Sequence, residues 1–224
     1  MKELEYVLPG EIEKRSFEII GQELKEMHIT IPADEEPVTK RVIHTSADFE
    51  YAHTMTYSKN AVQIAKQLIA NGADIVTDTN MALAGITKPG LAKLGGTACC
   101  YMADPEVAAA AKEAGTTRAV AAMKKAAQEH PGAILAVGNA PTALLTIAEQ
   151  IESGLRPALV IGVPVGFVNV VESKERLFAV CEKHDVPAIV AMGRKGGSNV
   201  AAAICNALIY SAAEMLDPSA RGWK

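Results

Sequence analysis

AILAVGNAPTALLTIAEQ, residues 133–150, contains within one stretch the unit from which the fold is read. Residues 133–137 form an unbroken apolar run, the pattern of a strand covered on both faces. Gly138 and Asn139 interrupt it, and residues 139–150 read as a helix. The same alternation recurs on both sides. Further strands are expected at 73–77, 97–102, 158–161 and 187–191. Helical stretches lie at 104–115, where Asp104 followed by Pro105 suits a cap and first turn, and at 116–130, 172–184 and 199–215. Earlier, Ile12, Ile19, Ile20, Leu24 and Met27 recur on one side of a helix that Pro9 and Gly10 start. Residues 31–38 read as a connection, followed by helices at 39–45 and 60–70. Short strands alternating with helices predict an α/β, three-layer domain. Its mostly parallel central sheet has about five strands, flanked by helices, with extra N-terminal helices. No composition break divides residues 1–224, so a single domain is expected.

In open parallel sheets, ligands gather beyond the carboxyl ends of the strands. Here those ends read TDTNM from Thr77, MAD from Met102, GNAPT from Gly138, GVPVGFVN from Gly162 and MGRKGGSN from Met192. Small residues permit close backbone approach, and Asn, Thr, Ser, Arg and Lys supply hydrogen bonds. Turns are rich in such residues in any protein. Several such loops at one edge favour a small-molecule site.

The 224 residues are 49% hydrophobic and 21% charged, an ordinary globular composition, and a net charge of −4 provides no basic field for nucleic acid or an anionic membrane. No apolar run is long enough for a membrane span, and the N-terminal residues lack a signal core. Cys99, Cys100, Cys181 and Cys205 have no metal-binding spacing, and a reducing, cytoplasmic location is expected. GxGxxG, Walker, GxSxG and HExxH patterns are absent from the expected positions, which argues against a dehydrogenase, NTPase, hydrolase or zinc protease.

His28, His130 and His184 fall near helix ends in polar surroundings. His44 and His53 lie in KRVIHTSADFEYAHTMTYS, beside Arg41, Asp48, Tyr51 and Tyr57. On a helix, Arg41 and His44 are three apart and share a face. His44 is therefore a candidate proton-transfer residue, with a structural role as the alternative. Arg15 and Arg118 are either solvated surface groups or clamps for carboxylates.

EKRSFEII (13–20), RVIHTSADFEYA (41–52), ADIVTDTNMALAGI (73–86), GNAPTAL (138–144), GVPVGFVNVVESKE (162–175) and GRKGGSNVAAAICNAL (193–208) closely resemble the precorrin-8X methylmutase family of cobalamin biosynthesis. The resemblance runs in order over nearly the whole chain. It implies an isomerase that moves a methyl group between neighbouring carbons of ring C in precorrin-8X or cobalt-precorrin-8, giving hydrogenobyrinate or cobyrinate. The shift is intramolecular, so no cofactor, methyl donor or protein-bound metal is implied, and cobalt, if present, belongs to the substrate.

The family's catalytic histidine falls on His44, as general acid. The implied substrate contacts are Arg15, Ser16, Arg41, Asn80, Arg118, Asn139, Val163, Gly166, Arg194 and Gly197, some through backbone N–H groups. Met81, Val165 and Phe167 would meet the ring. A homodimer with the site near its interface, and transfer of product to the next enzyme, are also implied. A corrinoid carrier without catalysis and an unrelated nucleotide-dependent enzyme are the competing readings. Likeness to the anaerobic subgroup favours the cobalt-containing substrate.

Overall fold

The structure, a computed structural model, describes residues 6–221. Six strands, β1 (Met55–Tyr57), β2 (Ile75–Thr77), β3 (Ala98–Cys99), β4 (Ile134–Val137), β5 (Leu159–Gly162) and β6 (Ala188–Ala191), form one sheet in the order β1-β6-β5-β4-β2-β3. All neighbours are parallel except β1, which runs antiparallel to β6 with Met55 opposite Ala191 and Tyr57 opposite Ile189.

Side-chain alternation along the strands assigns each residue to one of two cores. Ile75, Ile134, Ala136, Leu159, Ile161 and Ile189 point to one face, while Val76, Leu135, Val137, Val160 and Val190 point to the other. The first core is covered by residues of α1 (Ile12–Glu26), α2 (Glu36–Ser46), α3 (Tyr51–Thr54), α4 (Ala61–Ala70), α5 (Asn80–Gly85) and α6 (Lys88–Lys93). The second is covered by α7 (Pro105–Glu113), α8 (Arg118–Glu129), α9 (Pro141–Glu152) and α10 (Val170–Lys183). The last helix, α11 (Ser198–Ala212), returns to the first face and packs against α2, α4 and α5. Because both faces are covered, the central strands are wholly apolar and fully buried. No helix among the described residues is long and apolar enough to cross a membrane.

The expected architecture is present, with five corrections. The sheet has six strands, because MTY at 55–57 carries no apolar run and gains its strand state only by pairing with β6. β3 keeps two residues of the expected 97–102, and Tyr101 leaves the ladder to bond Glu129 through its hydroxyl at 2.5 Å. α2 begins inside the stretch read as a connection, with Pro37 in its first turn, where a missing N–H costs nothing. The short α3, α5 and α6 add to the expected helices. Finally, only Ile20 and Leu24 of the α1 stripe are buried, while Ile12 and Met27 stay about half exposed, at 54% and 52%. The apolar periodicity of α1 therefore exceeds what one copy of the chain covers.

Candidate active site

The five parallel strands end on one edge of the sheet, and their loops are bound to one another there. Asp78, just beyond β2, is buried and spreads its carboxylate over the turn after β4, accepting from the N–H groups of Gly138 (2.8 Å), Asn139 (2.8 Å) and Ala140 (2.9 Å). Burial pushes the Asp78 carboxyl above its ordinary range, and the three donors oppose that shift. Thr79 caps α5 by accepting from Ala82 N–H, and its hydroxyl lies 2.8 Å from that of Ser198 at the start of α11. Gly138 is a close-approach position: a Cβ there would stand 2.8 Å from the Gly197 carbonyl. Gly197 N–H donates to Val163 O at 2.8 Å, and Gly166 N–H donates to Arg194 O at 3.2 Å. Loops from β2, β4, β5 and β6 thus form one connected edge.

Several side chains face outward from this edge. Asn80, Asn139 and Arg194 are exposed, as are Met81 (71%), Val165 (48%), Phe167 (83%) and Val168 (77%). The Arg194 guanidinium lies 5.7 Å from the Phe167 ring centroid. Arg118 is exposed at the start of α8, and the Thr117 hydroxyl before it lies 3.2 Å from that of Thr142 in the first turn of α9. Arg118 therefore sits at the same sheet edge but belongs to the face opposite α2.

His44 is built differently. It is exposed on α2, stacked on Phe17 of α1 with ring centroids 5.2 Å apart and planes 18° from parallel. Arg41, one turn back, sets its guanidinium 4.6 Å from the centroid of the same Phe17 ring, as the three-residue spacing predicts. Arg41 is itself buried: its Nη2 donates to Glu13 Oε1 at 2.7 Å, and Arg221 Nη2 donates to that same oxygen at 2.6 Å. Both guanidiniums also lie against the Tyr210 ring. Two cations thus share one carboxylate oxygen, and both Nε atoms are buried without a partner. Burial of Glu13 works to raise its pKa, but Arg221 and Arg41 together outweigh it and hold the carboxyl below its ordinary range. For His44, desolvation against its neighbours and then the Arg41 charge lower the pKa, with Glu13 opposing. The C-terminal end of α2 is tied to the sheet edge because Lys195 Nζ pairs with Asp48 (2.5 Å) and Glu50 (2.8 Å), just beyond it.

The expected ligand groups are thus sorted. Asn80, Asn139 and Arg194 lie exposed on loops that are joined at the edge, and Arg118 lies at the same edge on the face opposite α2. Arg41 and His44 share the Phe17 ring. Arg15 and Ser16 ride on α1, where Arg15 Nη1 lies 3.5 Å from Glu18 and the Ser16 hydroxyl donates to Ile12 O at 2.9 Å. Three expectations need correction. Arg41 is enclosed in an ion network and does not present its guanidinium to the surface. Val163 has no exposed side chain. The N–H groups of Asn139 and Gly197 are already taken by Asp78 and Val163, so they do not offer the expected anion-binding donors, and Gly166 N–H is likewise held by Arg194 O.

Sequence reading missed Asp78 and Lys174. In the sequence Asp78 stands between Thr77 and Thr79 and Lys174 between Ser173 and Glu175, so neither carries a local signal of its burial. No group of three or more His, Cys, Asp or Glu among the described residues is arranged to hold a metal ion.

A parallel α/β sheet whose strand ends carry an exposed apolar and amide surface beside cations is the arrangement of the open-sheet α/β class, which binds its ligands at that edge. Residues 11–211 match the family model for precorrin-8X methylmutase. The chain is 45% identical over 204 residues to cobalt-precorrin-8 methylmutase of Priestia megaterium, covering 90% of this chain and 88% of the relative. It is 44% identical over 207 residues to cobalt-precorrin-8 methylmutase of Salmonella typhimurium, covering 90% and 95%. The crystal structure of precorrin-8X methyl mutase from Thermus thermophilus superposes with a TM-score of 0.81 at 42% identity, covering 91% of this chain and 98% of that one. The chain belongs to the precorrin-8X methylmutase family, whose members are isomerases of cobalamin biosynthesis.

Proposed function

We propose that this chain moves a methyl group between adjacent ring C carbons of cobalt-precorrin-8, giving cobyrinate, with His44 as general acid and no cofactor. The carrying observation is the position of His44: an exposed imidazole held flat by Phe17, on a helix whose end Lys195 ties to the loop bearing Arg194. The cobalt-containing substrate is favoured because the relatives at 44 and 45% identity bear that name. Met81, Val165, Phe167 and Val168 suit a flat apolar macrocycle, while Arg118 and Arg194 suit its peripheral carboxylates.

The proton on His44 depends on the ligand. In the free chain desolvation and Arg41 favour the neutral imidazole. A bound polycarboxylate adds negative charge, which favours the imidazolium and raises the pKa toward the working pH. Protonation of the conjugated ring near ring C then stabilises the electronic state from which methyl migrates, lowering the barrier relative to the resting substrate. The same proton returns to His44 after migration, so the enzyme is regenerated. A homodimer is part of this reading: Ile12, Ile19 and Met27 leave apolar surface on α1, the helix that also carries Arg15 and Ser16.

The test is an anaerobic absorbance time course with metal-free and cobalt-loaded substrate, using wild type and His44→Ala. Wild type converts the cobalt form faster. The variant still binds product but loses turnover by about 10²- to 10⁴-fold, the usual range for a general acid. Normal turnover by the variant removes His44 from the mechanism, and a static spectrum with wild type points to a carrier.

A further inference from the structure

Lys174 of α10 has no exposed surface, and its ammonium forms no ion pair among the described residues. Its Nζ donates to Gly193 O and to Lys195 O, each at 2.8 Å. An ammonium enclosed without a counter-ion is costly, and hydrogen bonds from Nζ to two carbonyls are what offset that cost here. The two carbonyls it holds flank Arg194.

The loop it holds does not fix its own shape. Gly193, Gly196 and Gly197 take φ values of 78°, 158° and 140°, a region that glycine enters freely. A chain with this freedom needs external anchors. Val163 O supplies one through Gly197 N–H, and Gly166 N–H supplies another through Arg194 O. Lys174 supplies two more from beneath, on either side of the arginine. The consequences reach both halves of the site: Arg194 stands over Phe167, and Lys195 reaches Asp48 and Glu50 beyond the helix of His44.

We propose that Lys174 is a positioning residue for recognition of the ligand's carboxylates. It fixes the loop that presents Arg194, and it places an uncompensated positive charge under the surface where those carboxylates dock. The charge acts through a poorly screened interior, so it contributes to the potential at that surface without touching the ligand. This rests on the polycarboxylate corrin reading above. Burial pulls the ammonium pKa down to about 8, which leaves it mostly protonated at neutral pH.

The test compares wild type with Lys174→Met by equilibrium absorbance titration with hydrogenobyrinate and with its fully esterified form. Lys174→Met is expected to weaken the polyacid about tenfold or more while changing the ester less than about threefold, and in a separate turnover assay with cobalt-precorrin-8 its KM is expected to rise more than its kcat falls. An equal loss for both ligands makes Lys174 a packing residue only, and no loss for either removes it from recognition; both overturn the proposal.

A second measurement on wild type covers the case in which the variant does not fold. The Lys174 Nζ resonance in ¹⁵N-lysine NMR is expected to be protected from exchange and to shift with the polyacid but not with the ester. A resonance unmoved by the polyacid overturns the proposal. If wild type binds no polyacid at all, the substrate assignment itself fails, an outcome distinct from wild-type binding that Lys174→Met leaves intact.

Discussion

Replacing Glu13 with Gln removes the one carboxylate that two enclosed guanidiniums share. The Arg41, Arg221 and Glu13 side chains keep 10%, 6% and 18% of their surface exposed. Breaking a buried pair by deleting one partner costs about 3–5 kcal/mol, because the remaining charge is left uncompensated. Glu13 retains some solvent and the Gln carbonyl still accepts one bond, so about 3 kcal/mol is expected here.

The pH dependence gives a second reading of the same change. The folded-state pKa of Glu13 is depressed, so its ionisation stabilises the fold above the unfolded-state value near 4.5, and that contribution is lost as pH falls through the lower folded value. Urea unfolding of Glu13→Gln should therefore show the full loss at pH 7 and a gap from wild type that narrows as the pH is taken below about 4.5. Since Glu13 favours the charged imidazole, the His44 pKa read by NMR titration should fall further in the variant. A loss below about 1 kcal/mol at pH 7, the range of exposed ion pairs, together with an unmoved His44 titration, would refute the argument that this network is enclosed and coupled to the histidine.

Two further outcomes concern the strand-end edge. Asp78→Asn keeps one acceptor but turns an amide toward backbone donors that the carboxylate now satisfies; unfolding should show a loss of about 2–4 kcal/mol, and a neutral effect would mean that water replaces the carboxylate. In Gly196→Ala the new Cβ would stand 2.1 Å from Val163 O at a φ of 158°, so the loop must move. Product affinity should fall at least tenfold, and an unchanged titration would show that the Arg194 loop is not part of the binding surface.

What the sequence shows is local. Apolar runs ending in small and amide residues specify strands and their edge, because a strand covered on both faces must be apolar throughout. The spacing of Arg41 and His44 likewise places them on one face, and the blocks from 13–20 to 193–208 carry the family resemblance. Groups whose role depends on a distant partner were not legible. β1 is a strand only because β6 offers an unpaired edge, and Arg221 meets Glu13 across 208 positions. Arg41 is an implied substrate contact in the sequence and is buried in the fold. Val163 and Gly197 look like ligand groups and are used up on each other, while Lys174 reads as a solvated helix residue and is enclosed beneath a glycine loop. Burial and hydrogen-bond satisfaction depend on what stands beside a residue, so backbone pattern set the strands and helices, and tertiary contact alone decided which polar groups remain free to act.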